Sequence, residues 1–122
     1  MLLDSNILIY ATQPNFKSLR QWCLSQKISM SDITRLEVLG YHKLTDEDKQ
    51  DFFELFHHAE VYTVSPVIID QAIKLRQQKS MSLGDAIIAS TALEYKQTLA
   101  TRNTDDFKWI EELDLVNPVP DK

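Results

Sequence analysis

Three carboxylates stand where carboxylates are costly. Asp4 directly follows the apolar run Leu2-Leu3 and precedes Ile7, Leu8 and Ile9. Glu37 lies on a stripe with Ile33, Leu36, Gly40 and Tyr41 that should face the protein. Asp85 opens the segment Ala86-Ile87-Ile88-Ala89, apolar all round its first turn, and such a helix is normally buried. Acids in apolar surroundings lose hydration and repel one another. Bound divalent cations are the simplest compensation, and Mg²⁺ or Mn²⁺ prefers carboxylate and water oxygens. Each acid alone also has a plain structural role: Asp4 can cap the helix after it, Asp85 can pair with Ser82 in a capping box, and Glu37 can reach solvent from the edge of its stripe. Taken together, the three favour a metal-dependent site.

Other chemistry is less well supplied. His42, His57 and His58 have no metal-ligand spacing with one another or with Cys23 and read as surface residues; Cys23 reads as core. There is no glycine-rich phosphate loop and no nucleophile elbow. The bases are dispersed, but Arg35, Lys79 and Arg102 fall near the acids, as do the polar Ser5 and Asn6, and these are the candidate substrate contacts.

The elements that must position these residues alternate. Leu2-Leu3 is a short first strand, and Ser5 to Ala11 turns straight into a helix. A second helix runs from Lys17 to about Gln26, and Ile28 to Met30 alternates as a strand does. Ser31 or Asp32 caps a third helix with Ile33, Leu36, Gly40 and Leu44 on one stripe. Thr45-Asp46-Glu47-Asp48 starts a fourth, carrying Phe52, Phe53, Leu55 and Phe56. Val61 to Val64 is a strand, Ser65-Pro66 begins a helix to about Lys79, and Ser82 to Asp85 opens a helix from Ala86 to Lys96. Thr98 to Thr101 and Leu115-Val116 complete the strands, with a short helix or turn over Asp105 to Leu113 between them and a tail from Asn117 to Lys122. Strands alternating with helices give an α/β fold, a parallel sheet covered on both faces. Sites in such sheets form beyond the carboxyl ends of the strands, where strand order reverses. Asp4, the 31–37 segment and the 101–106 segment are therefore the places to inspect.

The whole chain, 122 residues with 43% hydrophobic and 25% charged, fits a single domain over 1–122. Its formal net charge of −5 argues against binding nucleic acid through bulk positive charge, but not against an enzyme that holds phosphates through cations. One cysteine, no long apolar run and no signal-peptide pattern read as a cytoplasmic protein with no membrane segment.

Four segments then carry a family resemblance. They are Leu2-Leu3-Asp4-Ser5-Asn6-Ile7-Leu8, Ser31 to Tyr41, Leu83-Gly84-Asp85-Ala86-Ile87-Ile88-Ala89, and Thr101-Arg102-Asn103-Thr104-Asp105-Asp106-Phe107. In this order the chain resembles PIN-domain proteins, specifically VapC-type toxins of bacterial type II toxin–antitoxin pairs. The resemblance implies a three-layer α/β/α sandwich with strand order 3-2-1-4-5. It implies a Mg²⁺- or Mn²⁺-dependent endoribonuclease, homodimeric, acting on RNA and neutralised by a cognate antitoxin. Asp4, Glu37 and Asp85 match the family's acidic positions, and the fourth aligns with Asn103. An amide adds no negative charge, so Asp106 is the alternative occupant, while Asp105 reads as a turn or cap residue. Apolar faces bearing Trp22 and the Phe52-Phe53-Phe56 group exceed what a small sheet buries and are candidates for the homodimer or antitoxin contact. Two competing readings are a PIN-like nuclease of RNA processing and a non-catalytic interaction module; retention of the three acids argues against the latter.

Overall fold

Because Leu2 and Leu3 are adjacent in an extended strand, their side chains must point to opposite faces of the sheet, and both must be buried. In a computed structural model, which describes residues 1–119, the pair forms β1 (Leu2–Leu3) at the centre of a five-stranded sheet. The other strands are β2 (Ser29–Ser31), β3 (Glu60–Tyr62), β4 (Leu99–Ala100) and β5 (Leu115–Val116). The order is 3-2-1-4-5 and every pairing is parallel, with Leu2 opposite both Ser29 and Leu99 and Leu3 opposite Ala100. Six helices connect and cover it: α1 (Ser5–Ala11), α2 (Lys17–Ser25), α3 (Asp32–Leu39), α4 (Asp46–His58), α5 (Pro66–Gln78) and α6 (Leu83–Glu94).

The alternation of β1 divides the core in two. Leu3 joins Ile7, Leu8, Leu19, Cys23, Met30, Val38, Phe52 and Leu55 under α1 to α4. Leu2 joins Leu75, Ile88, Ala89, Leu99, Phe107 and Ile110 under α5, α6 and the turns after β4. This is the expected α/β/α sandwich. α6 carries Ala86, Ala89 and Ala92 at full burial, and these small side chains let it lie close against α5 along its length. Three helix starts follow the sequence signals. Thr45 and Asp48 form a reciprocal capping box, Ser65 caps α5 ahead of Pro66, and Ser82 caps α6. Among the described residues no helix is long and apolar enough to cross a membrane.

Several expectations are corrected. α6 begins at Leu83, so Asp85 sits inside its first turn, and Lys96 lies beyond its end in the left-handed region at φ 53°. α3 stops at Leu39, where the Gly40 N–H closes back on the Leu36 carbonyl, so Leu44 is not on its stripe. Its buried face is Thr34 and Val38; Leu36 is 68% exposed and Tyr41 53%. An eight-residue helix with only two fully buried positions leaves the register of its apolar stripe undecided by side-chain type alone. The surplus aromatics are also mostly absorbed: Phe52 is core, Trp22 and Phe56 pack partly against it, and only Phe53 stands well out. Other exposed aliphatic side chains are Val67, Ile69 and Ile73 on α5, with Ile9, Leu36 and Leu83. Residues 120–122 of the expected tail lie outside the described residues.

The α3 register is directly testable. Val38→Ala should lower unfolding free energy by about 2 kcal/mol, whereas Leu36→Ala should change it by less than about 0.5 kcal/mol. Urea denaturation with an unchanged m-value measures both; the opposite ranking would restore the Leu36 stripe.

Candidate active site

The acids meet at the carboxyl ends of the central strands. The chain leaves β1 at Asp4, whose N–H donates to the Ala100 carbonyl at 3.0 Å. Strand order reverses between β1 and β4, so Asp4 borders the crevice this reversal opens. Asp4 stands at the N-cap position of α1, but its carboxylate makes no capping bond. Instead Oδ2 accepts from the Thr101 hydroxyl at 2.9 Å, while the side chain is only 5% exposed. The Thr101 hydroxyl in turn accepts the Asn103 N–H at 3.1 Å, so one buried threonine ties the end of β1 to the turn after β4.

Glu37 reaches the same place from α3. It is exposed rather than inward-facing, one position off the buried face, and its Oε1 accepts from the Ser5 hydroxyl at 2.8 Å. Ser5 is itself buried and lies 3.3 Å from the Thr34 hydroxyl. Asp85 arrives on the first turn of α6, where its N–H donates to the Ser82 Oγ at 3.1 Å. Only that half of a capping box is formed for α6. The residue before it explains its approach to Glu37: a Cβ on Gly84 would sit 3.2 Å from Glu37 Oε2 and 3.5 Å from Oε1. Glycine here leaves room for the carboxylate.

Burial and crowding show in the electrostatics. Loss of hydration raises the Asp4 carboxyl above its ordinary range; the Thr101 hydroxyl and Ser5 amide oppose this, and the charges of Asp85 and Glu37 reinforce it. Asp85 is raised for the same first reason, opposed by Ser82 and reinforced by Asp106 and Glu37. Asp106 thus belongs to the electrostatic cluster although its side chain is exposed. Asp105 instead pairs with Lys108 at 3.0 Å. Asn103 is exposed at the start of the 3₁₀ turn Thr104–Asp106 and makes no side-chain cap there. Among the described residues the acids do not already close into a three-ligand cluster, as expected of like charges that only face one another. Their chemistry is a set of hard oxygen donors with mutual repulsion, and it suits Mg²⁺ or Mn²⁺.

Asp4 and Asp85 each feel the charge of Glu37, Asp4 that of Asp85 and Asp85 that of Asp106, and Ser5 bonds Glu37. Asn6 is exposed on the first turn of α1. Arg35 is drawn to Asp32 at 3.0 Å, and Lys79 and Arg102 lie over aromatic rings. Sequence reasoning missed Thr101 and Gly84; a hydroxyl at a strand end and a glycine before a helical acid were the available signals. His42, His57 and His58 are exposed and Cys23 is fully buried, its thiol pushed up to about 11 by burial.

Fold and site together define a small α/β protein with an acidic, oxygen-donor crevice at its topological switch point. The chain belongs to the PIN domain family, whose model matches residues 1–113. It is similar to a ribonuclease VapC of Rickettsia bellii, 26% identical over 127 residues that span 95% of this chain and 94% of the relative. A solved toxin–antitoxin complex from Klebsiella pneumoniae contains a chain 31% identical, with a TM-score of 0.77 and 98% of each chain covered. VapBC2 from Rickettsia felis, solved bound to a DNA fragment from its promoter, shares the fold at 23% identity and a TM-score of 0.78, over 95% of this chain and 96% of that one.

Raised carboxyl pKa values carry a sign. A carboxyl that holds its proton more tightly when folded adds stability that is fully present below its ordinary value of 3.8 and lost as pH rises through the folded value. Without divalent cations, Asp4→Asn should therefore be more stable than the natural chain at about pH 7, and the gain should vanish near pH 3. Denaturation curves in EDTA across that interval check this; a gain independent of pH would contradict the raised carboxyl.

Proposed function

We propose that this protein is a metal-dependent endoribonuclease, the toxin of a type II toxin–antitoxin module. The observation that carries the reading is the gathering of Asp4, Glu37 and Asp85 at the strand-order reversal, on a chain whose relatives include a VapC ribonuclease. The reaction is hydrolysis: water adds across a phosphodiester, one P–O bond forms and another breaks, and no redox partner is needed.

Asp4 and Asp85 would hold the cation, with Glu37 completing the set and the fourth position taken by Asp106, whose charge acts on Asp85, or by the neutral amide of Asn103. When bound, a Mg²⁺ or Mn²⁺ ion supplies Lewis acidity for the charge that builds on the phosphate. Thr101 orients the Asp4 carboxylate through Oδ2, with the Ser5 amide as a second donor to the same carboxylate. Ser5 fixes Glu37 in the same manner through Oε1, which leaves Oε2 beside Gly84 free to accept from a water or bind a cation. The partner is an antitoxin with a basic segment able to sit on this acidic crevice. For the homodimer, Ile69 and Ile73, one turn apart on α5, with Leu83 at the start of α6 form the apolar surface we assign, in place of the aromatic group on α4. A cytoplasmic setting suits both substrate and partner.

Asp4→Asn and Asp85→Asn should each lower cleavage of single-stranded RNA by at least about a hundredfold in Mg²⁺. Neither should lose its thermal transition. Wild-type cleavage rates in either variant would refute the assignment. A loss in Asp106→Ala with none in Asn103→Ala would support Asp106 as the fourth position.

A further inference from the structure

Basic side chains around the crevice divide by what holds them. Arg35 is paired with Asp32, Lys108 with Asp105, and Arg20 with both Asp51 and Glu54. Arg102 and Lys79 make no ion pair among the described residues. Each instead lies over an aromatic ring. The Arg102 Cζ is 5.1 Å from the centroid of Tyr10, and the Lys79 Nζ is 5.8 Å from that of Trp109. Both distances are within cation–π range.

Both rings are tied to the candidate site. Arg102 directly follows Thr101, whose hydroxyl holds Asp4, and Tyr10 is backed by Phe16 at 5.2 Å between ring centroids. The Trp109 Nε1 donates to the backbone carbonyl of Asp106 at 3.1 Å. The rings also belong to opposite faces of the sheet: Tyr10 packs on the core containing Leu3, Trp109 on the core containing Leu2. Arg102 follows the carboxyl end of β4, and Lys79 ends α5 just ahead of the first turn of α6 that carries Asp85, so each cation lies close in the chain to an element that holds one of the acids.

An exposed arginine beside a group of acids would ordinarily fold onto them, and there it would occupy the place of a metal ion. The Tyr10 ring gives Arg102 another position, at cation–π distance and without an ion pair among the described residues, which leaves guanidinium N–H groups for the phosphate oxygens they bond in pairs. A chain of net charge −5 whose site is acidic repels a polyanion, so attraction must come from a few placed cations.

The geometry points to Arg102, seated on Tyr10, as a phosphate clamp for the RNA strand on one side of the crevice, with Lys79 over Trp109 as the matching contact on the other. This rests on the ribonuclease reading and adds how the strand is held. Tyr10 is a positioning residue for Arg102.

The test uses full-length protein and a fluorescein-labelled single-stranded RNA oligonucleotide. Anisotropy in an Asp4→Asn background gives binding without cleavage, at several KCl concentrations, and wild-type background kinetics give KM and kcat. Arg102→Ala should weaken binding about fivefold to tenfold and reduce the salt slope by about 0.7, the value for one phosphate contact on a single strand. Its KM should rise while kcat is kept. Arg102→Lys should recover the slope but not all the affinity, Tyr10→Leu should fall between, and Lys79→Ala should act as Arg102→Ala does. Lys27→Ala, at the opposite, amino-terminal end of the sheet where the Met1 amine donates to the Lys27 carbonyl, serves as the control for general charge. If the natural protein cleaves RNA and Arg102→Ala and Lys79→Ala leave affinity, slope and KM unchanged, the clamp is overturned and the ribonuclease reading stands. If the natural protein neither binds nor cleaves RNA, both are overturned.

Discussion

The rest of the structure depends on one constraint: a carboxylate, that of Asp4, taken out of water at the end of the central strand and faced by other acids. Asp4 is nearly fully buried at the end of the central strand, and Asp85 and Glu37 raise the cost of its charge. A hydrophobic residue at position 4 would relieve that cost. Hydroxyls oppose it, Thr101 toward Asp4, Ser5 toward Glu37 and Ser82 beside Asp85. They orient the acids without neutralising them. The positive end of α6, with Asp85 in its first turn, acts in the same direction. What is left over is a standing attraction for a cation.

The fold is the means of delivery. A central strand of two residues sends one leucine into each core and then must turn, so Asp4 falls at the sheet's end. The crossover from β3 to β4 through α5 and α6 lays β4 beside β1 and brings Thr101 and Asp85 to the same end, and the pairing of β2 with β1 brings α3, which follows β2, with Glu37. Gly84 lets the start of α6 and the Glu37 carboxylate lie close together, where a Cβ would press on Oε2 and make the glutamate give way by a few tenths of an ångström. The acids are thus spread through the chain but placed by elements that are each locally determined.

Much of this was legible in the sequence because the signals were local. Ser65-Pro66, the Thr45 box and the Ser82 cap mark helix starts by side-chain chemistry, and the structure keeps all three. Asp4 and Asp85 stood out because acids between apolar residues are expensive. The α3 stripe did not read correctly because Ile33, Leu36, Gly40 and Leu44 suggest one face while Thr34 and Val38 are the pair that buries. A threonine hydroxyl turned inward toward Ser5 has no sequence signature. Thr101 was hidden for a related reason: at a strand end its β-branched side chain reads as a strand former, and only the pairing of β1 with β4 shows its hydroxyl on Asp4. Strand order and side-chain partners are long-range facts, and the family resemblance, not periodicity, supplied the order.

The central claim is that the crevice is built to bind a divalent cation, and it is measured most directly by linkage. Unfolding free energy of the natural chain should rise with Mn²⁺ concentration, as it does for any ligand that binds only the folded state. The Asp4→Asn/Asp85→Asn double variant should begin more stable at neutral pH and gain nothing from Mn²⁺. Equal stabilisation of both proteins by Mn²⁺, or of neither, would contradict the account.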